Sequence, residues 1–450
     1  KVVRVRRASD NGERDFTSTE ITSGEMVSWV NRQVIKPLDI QALEADGRTG
    51  DFLIAKAAYS LRSLGTRQAT LAATGDTVAR ANGKFVVQVR RSSDDALKSF
   101  TADEVTDGTL LAFVNPTYTV GTSVESVSRP FDSFTSNGND GFTATNNTTG
   151  SATAGFPYTF ATGDVISVSF DLVIANNATP TFILSASNLG SGSLAVGTTF
   201  TSSGSYTQEL TTASGTGTHL AFTDGNTGTF TISNFKVTSH KADGFVSVWY
   251  DQSVTTEAGD TPTNNHAVQA TAASQPKIVS AGALNTSGGL EFDGSDDFLS
   301  LTSDISFENK AGCVFSLQDG QDSSNDFTLG RTDNNRGIGF RNIQTRWFYT
   351  TGAIDIDNSS PPSGLALFTA LHDGTTNDPN VTAFVNSSLI VDGSPDANQG
   401  EANVSTIANQ IGARRALSFL EGTVKEIIIY DTDQTDNRGA IEANIGEAYS

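Results

Sequence analysis

The sequence predicts an all-β protein built from more than one β-sandwich, and three observations carry that prediction. Apolar and polar residues alternate with a period of two in many short runs, Gly, Asn, Ser and Thr punctuate those runs, and no long segment carries a helical apolar stripe. The chain has 450 residues, 42 of them Gly and only 18% charged. That length is enough for roughly two to four domains, each burying its own core.

The first element is half of an internal repeat. Displaced by 84 positions, Val2-Val3-Arg4-Val5-Arg6-Arg7-Ala8-Ser9-Asp10 falls on Val86-Val87-Gln88-Val89-Arg90-Arg91-Ser92-Ser93-Asp94. The match runs without a gap through Phe16-Thr17 on Phe100-Thr101 and Trp29-Val30-Asn31 on Phe113-Val114-Asn115, and 14 of the first 31 positions are identical. Residues 1–49 therefore read as a partial N-terminal repeat unit. The second copy has a lead-in, Ala57-Ala58-Tyr59-Ser60-Leu61-Arg62-Ser63-Leu64, whose Ala, Tyr and Leu fall at helical spacing. The first copy lacks it, which suggests that these residues are the C-terminal part of a longer chain with at least one more such unit. The arginines of the repeat are expected to pair with the nearby aspartates Asp10 and Asp94 rather than to bind a ligand.

From about residue 116 to 240 the composition turns to Thr, Ser, Gly, Asn and Phe. Ile166, Val168, Phe170 and Leu172 alternate with Ser167, Ser169 and Asp171, the pattern of a half-buried strand. Strands follow at 181–185, 206–210, 219–223 and 228–238, at the spacing of a jelly-roll-like sandwich. From about residue 244 a different style begins, with strands around 290–299, Phe315, Phe327, 338–341, 347–350, 365–372, 381–386 and 424–430. Cys313, the one cysteine, reads as a buried strand thiol and excludes an intrachain disulfide. Ile441, Ile445 and Tyr449 lie at i, i+4 and i+8, so a short closing helix should dock one face on the sheet.

Charge and motif content exclude several function classes. The net charge is −21, and the excess is all in the body: residues 1–100 carry 16 Lys and Arg against 12 Asp and Glu, residues 101–450 carry 13 against 38. Such a surface repels phosphate backbones, so nucleic acid is not expected as a partner. No run approaches a membrane span, so no membrane insertion is expected. His219, His240, His266 and His372 have no metal-ligand spacing, and no phosphate loop or nucleophile elbow is present. No cofactor is expected. Asp293, Asp296 and Asp297 are weak candidates for Ca²⁺, against the stronger reading of an Asp-Gly turn. Trp249, Tyr250, Trp347 and Tyr349 are the aromatic candidates for stacking on sugar rings, against a core or rim role.

The segments Ala58-Tyr59-Ser60-Leu61, Val89-Arg90-Arg91-Ser92-Ser93-Asp94 and Trp249-Tyr250-Asp251-Gln252-Ser253 resemble, in order, the catalytic-domain pattern of fungal-type α-L-arabinofuranosidase B. Leu290–Leu299 and Gly422–Tyr430 with the closing helix are similar to concanavalin A-like lectin/glucanase and laminin-G-like sandwiches. This resemblance implies a laminin-G-like, jelly-roll sandwich formed by residues 50–115 with 243–450. The Arg-Arg-Ser-Ser-Asp and Tyr-Asp-Gln-Ser segments sit close together in that family, so residues 116–242 are expected to be a second β-sandwich inserted there, with Asn115 near Asp243.

The same resemblance implies catalysis only where its carboxylates survive. The family's nucleophilic Glu precedes a Leu-Gly strand end, where this chain has Asn325 before Leu329-Gly330, and the family's paired cysteines are missing. The expectation is therefore that the chain is not an enzyme; were it one, Asp326, Asp373 and Asp378 are the candidate carboxylates. The pattern also resembles fibre and decoration proteins of tailed phages. It implies a structural virion protein on the particle surface, with other virion proteins as partners, a homo-oligomer by symmetry and host-surface polysaccharide as a target. A secreted arabinofuranosidase-type glycoside hydrolase and a bacterial surface adhesin are the alternatives.

Overall fold

A computed structural model describes residues 2–6, 13–18, 21, 55–64, 85–115, 119–187, 189, 191–253, 265–285, 288–307, 310–319, 327–332, 337–340, 344–349, 352–357, 362, 364–373, 381–392, 407–415 and 418–449. Within them strands dominate and pair antiparallel in several sheets, so the all-β expectation holds.

One sandwich is continuous in sequence. Its first sheet has the order 204–211, 165–176, 228–241, 142–146, 133–136, and its second the order 191–199, 181–187, 217–224, 152–160, 124–125. The period-two alternation sets which side chains face inward: Ile166, Val168, Phe170 and Leu172 are buried, and the residues between them are only partly so. Phenylalanines fill the space between the sheets, with Phe156 stacked on Phe235 at 4.0 Å and Phe170 meeting Phe222 edge-on at 4.9 Å. Each such ring contributes roughly 1.5–3 kcal/mol by burial.

The other sandwich gathers distant pieces of chain. Val87–Arg91 pairs with Leu97–Phe100 on one side and Gly244–Trp249 on the other. Gly312–Asp319 lies between Ala366–His372 and Glu421–Tyr430, and Ala57–Ser60 joins the far edge of Glu421–Tyr430. The expected helical lead-in is thus a strand over Ala57–Ser60. It is buried on both faces, with Tyr59 in the main core and Ala58 on the opposite side with Cys313 and Ile428. Burial on two faces removes the period-two signature, and an unbroken apolar run then mimics a helix. The Ile427-Ile428-Ile429 run obeys the same geometry. Ile427 and Ile429 face the sandwich interior, while Ile428 and Tyr430 face the closing helix Arg438–Ala448, where Ile441 and Ile445 are wholly buried.

The two sandwiches share a seam. The chain leaves the second at Asn115 and returns at Ala242, whose N–H donates to Asn115 Oδ1 at 3.0 Å; the Asn115 amide donates to Gly282 O at 2.9 Å. One asparagine side chain ties both connections to the neighbouring strand turn.

Candidate functional site

The seam gathers polar side chains from both sandwiches. Ser92 N–H donates to Asp243 O at 2.9 Å, Asp243 N–H donates to Ser92 Oγ at 3.0 Å, and Ser92 Oγ donates to Asp164 Oδ1 at 2.7 Å. Asp164 Oδ2 accepts from Ala161 N–H and faces His240 Nε2 at 2.8 Å, and His240 Nδ1 meets Tyr158 Oη at 2.9 Å. The side chains of Asp164 and His240 are fully buried. The imidazole thus turns one ring nitrogen to the carboxylate and the other to the tyrosine hydroxyl. On the other side Asp243 accepts from Ala281 N–H at 2.7 Å and from Lys277 Nζ at 2.8 Å. Every link crosses between elements of the two sandwiches or braces one that does, so the seam is rigidly specified.

Above this network lies a groove of about 380 Å³ with walls from both sandwiches. Ser93 and Asp94 come from the second repeat hairpin, Thr119 from the connection, Pro157, Tyr158 and Thr159 from one strand and Thr218 from its neighbour. The Asp94 carboxylate is held by Arg91 at 2.8 and 2.6 Å, and that hydrogen bond keeps its pKa below the usual carboxylate range. The expected Arg–Asp pairing therefore forms at Asp94, where it fixes an ionised acceptor on the groove wall, while Asp10 lies outside the described residues. Hydroxyls, a fixed carboxylate and the flat flank of Pro157 make a surface that can receive a polyol.

A second cluster lies in the turn after Leu290–Asp293. Asp293, Asp296 and Asp297 bring ligand oxygens within 4.8 Å of one another. Asp293 Oδ1 accepts from Ser295 and Asp296 N–H, Asp297 Oδ2 from Asp293 N–H, and Asp296 Oδ2 from Ser274 Oγ. Gly294, at φ 74°, makes the turn that brings them together. Burial, then the charge of Asp293, pushes the Asp297 carboxyl up to about 7. Three carboxylates supply part of the six to eight oxygens Ca²⁺ takes.

The aromatic candidates fare differently from expectation. Trp249 is no sugar platform: alternation along Gly244–Trp249 turns it inward, where it is fully buried beside Tyr59 at 5.6 Å. Tyr250 points the other way and is half-buried. Its hydroxyl is 2.8 Å from Ser99 Oγ, and its ring is edge-on to His266 at 5.0 Å. Trp347 and Tyr349 belong to the strand Gln344–Tyr349, whose side chains lie outside the described residues. Of the candidate carboxylates, Asp373 is exposed at the end of Ala366–His372, while Asp326 and Asp378 lie outside the described residues, as does Asn325. Asp251 of the Tyr-Asp-Gln-Ser segment is a structural anchor, accepting from Ala58, Ser253 and Asn265 N–H at 2.9 to 3.0 Å. The Ser92–Asp164–His240–Tyr158 set was not singled out from the sequence. Its one sequence signal is a difference within the repeat, Ser92 standing where the first copy has Ala8.

No family model and no curated protein matches the chain. Among solved structures it is similar to a GH54 α-L-arabinofuranosidase soaked with a cyclic sulfate inhibitor, at 15% identity and TM-score 0.34, over 46% of this chain and 52% of that one. It is also similar to an arabinofuranosidase complexed with arabinofuranosyl-α-1,2-xylobiose, at 14% identity and TM-score 0.30 over the same shares. A truncated AlyQ with CBM32 and alginate lyase domains matches at 9% identity and TM-score 0.20, over 71% and 98%. The chain spans about half the length of the first two structures. The expectation that the chain is not an enzyme is corrected here, since the solved structures it is similar to include arabinofuranosidases. At these identities and TM-scores no residue role and no activity passes from them to this chain.

Proposed function

We propose that this chain is a surface attachment protein of a particle such as a tailed phage, a fibre or decoration component that holds a neutral host-surface polysaccharide in the seam groove. The observation that carries this reading is the groove itself, lined by hydroxyls and one fixed carboxylate and built jointly by two sandwiches. Neutral sugars fit better than uronic or sulfated ones, because the −21 charge of the chain and the ionised Asp94 oppose anions. The test is binding of the purified protein to a panel of neutral and anionic polysaccharides, with Thr159→Arg as the blocking variant; Thr159 is exposed on the groove wall, so the fold should tolerate the change. Binding to neutral glycans that falls at least about tenfold in the variant supports the reading. A flat panel, or binding indifferent to Thr159→Arg, overturns it.

A second reading, a glycoside hydrolase acting on arabinose-containing polysaccharide, is favoured by one observation. Asp297 keeps its proton up to about pH 7 beside Asp293, an arrangement able to divide acid and nucleophile roles. Release of reducing ends from arabinan that disappears in Asp297→Asn would establish it, and release unchanged in that variant would remove Asp297 from the reaction.

A further inference from the structure

Away from the seam, a cavity of about 460 Å³ opens between the chain just past the strand Ala57–Ser60, the short helix Ala102–Thr106 and the end of the closing helix. It shares no lining residue with the seam groove. Its walls are mostly apolar. Leu61, Val105 and Ile278 belong to the main core, Leu284 packs against that core, and Tyr449 joins them from the end of the helix. Such a volume with such walls is in the range of sites that hold small molecules.

A lysine is brought to this cavity by an irregularity in the sheet. In Glu421–Tyr430, Val424 pairs with Gln318 and Glu426 with Leu317, so Lys425 is the extra residue of a β-bulge, the device that re-aims a side chain. On the strand's other pairings Val424 stands opposite Leu290 and Glu426 opposite Ser60, which puts Lys425 level with Gly289 and Leu61, both on the cavity wall. The Lys425 ammonium lies over the Tyr449 ring, 4.9 Å from its centroid, and 3.7 Å from where a Cβ on the wall residue Gly288 would stand. Burial lowers the Lys425 pKa, and no neighbouring charge counters that burial. The other cation on the wall is already committed: Arg62 donates through Nε and Nη2 to Glu426 at 2.7 and 2.8 Å and through Nη1 to Asn444 at 2.9 Å. Asp103, the acidic residue among those lining the cavity, is exposed, where water and salt screen it.

We propose that this cavity is a second binding site, which takes a small carboxylate with a compact apolar body: the carboxylate meets the Lys425 ammonium and the body packs against Leu61, Val105, Ile278 and Leu284. A cation drawn partly out of water beside an apolar wall gains more from an anion than one in open solvent does, because the local dielectric is lower. The ligand's carboxylate in turn receives charge-assisted hydrogen bonds from the ammonium. A neutral sugar offers neither the charge nor the apolar body. The cavity and the seam groove therefore select different ligands, and the inference stands whether or not the groove holds a glycan.

The experiment is isothermal titration calorimetry on the whole 450-residue chain with 2-naphthoate as the probe, the neutral 2-naphthamide as its matched control, and Lys425→Met and Thr106→Trp as variants. Lys425 is half-buried and Thr106 is exposed on the cavity wall, so the fold should tolerate both changes. The expected result is that 2-naphthoate binds about tenfold or more tighter than 2-naphthamide. Lys425→Met should abolish that preference and leave 2-naphthamide unchanged, while Thr106→Trp, which fills the cavity, should weaken both probes by about tenfold or more. Four results would overturn the proposal: no binding of 2-naphthoate, equal affinity for the two probes, a preference for the carboxylate that survives Lys425→Met, or binding indifferent to Thr106→Trp, which would put the probe elsewhere on the molecule.

Discussion

Val89 and Val5 occupy matching positions on two hairpins that share register and flanking hydrogen bonds, yet Val89 is wholly buried in a sandwich core and Val5 is only half-covered. The difference teaches that the two hairpins share register and a wholly buried phenylalanine, Phe16 or Phe100, whereas the full burial of the valine comes with a strand from elsewhere, Gly244–Trp249 from more than 150 residues downstream. The most forceful way to break the comparison is to place a charge at each position. Val89→Asp buries an unpaired carboxylate and is expected to cost about 4 kcal/mol or more, while Val5→Asp should stay within about 0.5 kcal/mol of the parent. Urea melts of the two variants check this; equal losses would show that the first hairpin also sits in a closed core.

The same division separates what was legible in the sequence from what was not. Strands with one face in a core announced themselves by alternation, as at Ile166 to Leu172, and so did the docked face of the closing helix at Ile441 and Ile445. Strands buried on both faces did not, which is why Ala57–Ser60 reads as helix until Ala58 and Tyr59 are seen to face two different cores. Side-chain identity alone was weaker still for the site. Trp249 and Tyr250 are neighbours of similar chemistry, and one residue of pleat separates a core tryptophan from a rim tyrosine. The seam network was hidden for another reason: Tyr158, Asp164 and His240 converge only in the folded sandwich and Ser92 reaches them from the other one, and no spacing in one sequence encodes that.

Environment also sorts identical residues within a single loop, which sharpens the comparison by titration. Asp293 and Asp296 are exposed, whereas Asp297 is buried and its carboxyl is raised to about 7. An unfolded aspartate releases its proton near pH 4. Between that value and about 7 the folded chain therefore binds more protons than the unfolded one, and stability falls as pH rises through the window. Below it the burden vanishes; above it the full burden stands. Asp297→Asn keeps an acceptor for Asp293 N–H but removes the charge, so its Tm should exceed the parent's by several degrees at pH 8 and match it near pH 4. A gain of equal size at both pH values would mean that the charge of Asp297 is not what the fold resists.

The smallest effect is expected at the residue by which the two hairpins differ most informatively. Ser92 in the second copy is Ala8 in the first, so the repeat itself supplies the substitution to make. In the second copy the Ser92 hydroxyl accepts from Asp243 N–H and donates to Asp164 Oδ1, bridging the strand that re-enters one sandwich and the buried carboxylate of the other. Ser92→Ala leaves that N–H without its acceptor and Asp164 Oδ1 without its donor, while Asp164 Oδ2 keeps Ala161 and His240. The cost should be about 1–2 kcal/mol, the penalty of stranding buried polar groups rather than of emptying a core. Because the change touches the seam and neither interior, amide exchange should quicken at residues 158–164 and 240–243 and stay constant at Phe170 and Phe222. A uniform quickening through both cores would instead make the seam part of one cooperative unit, in which the inserted sandwich cannot loosen without its host.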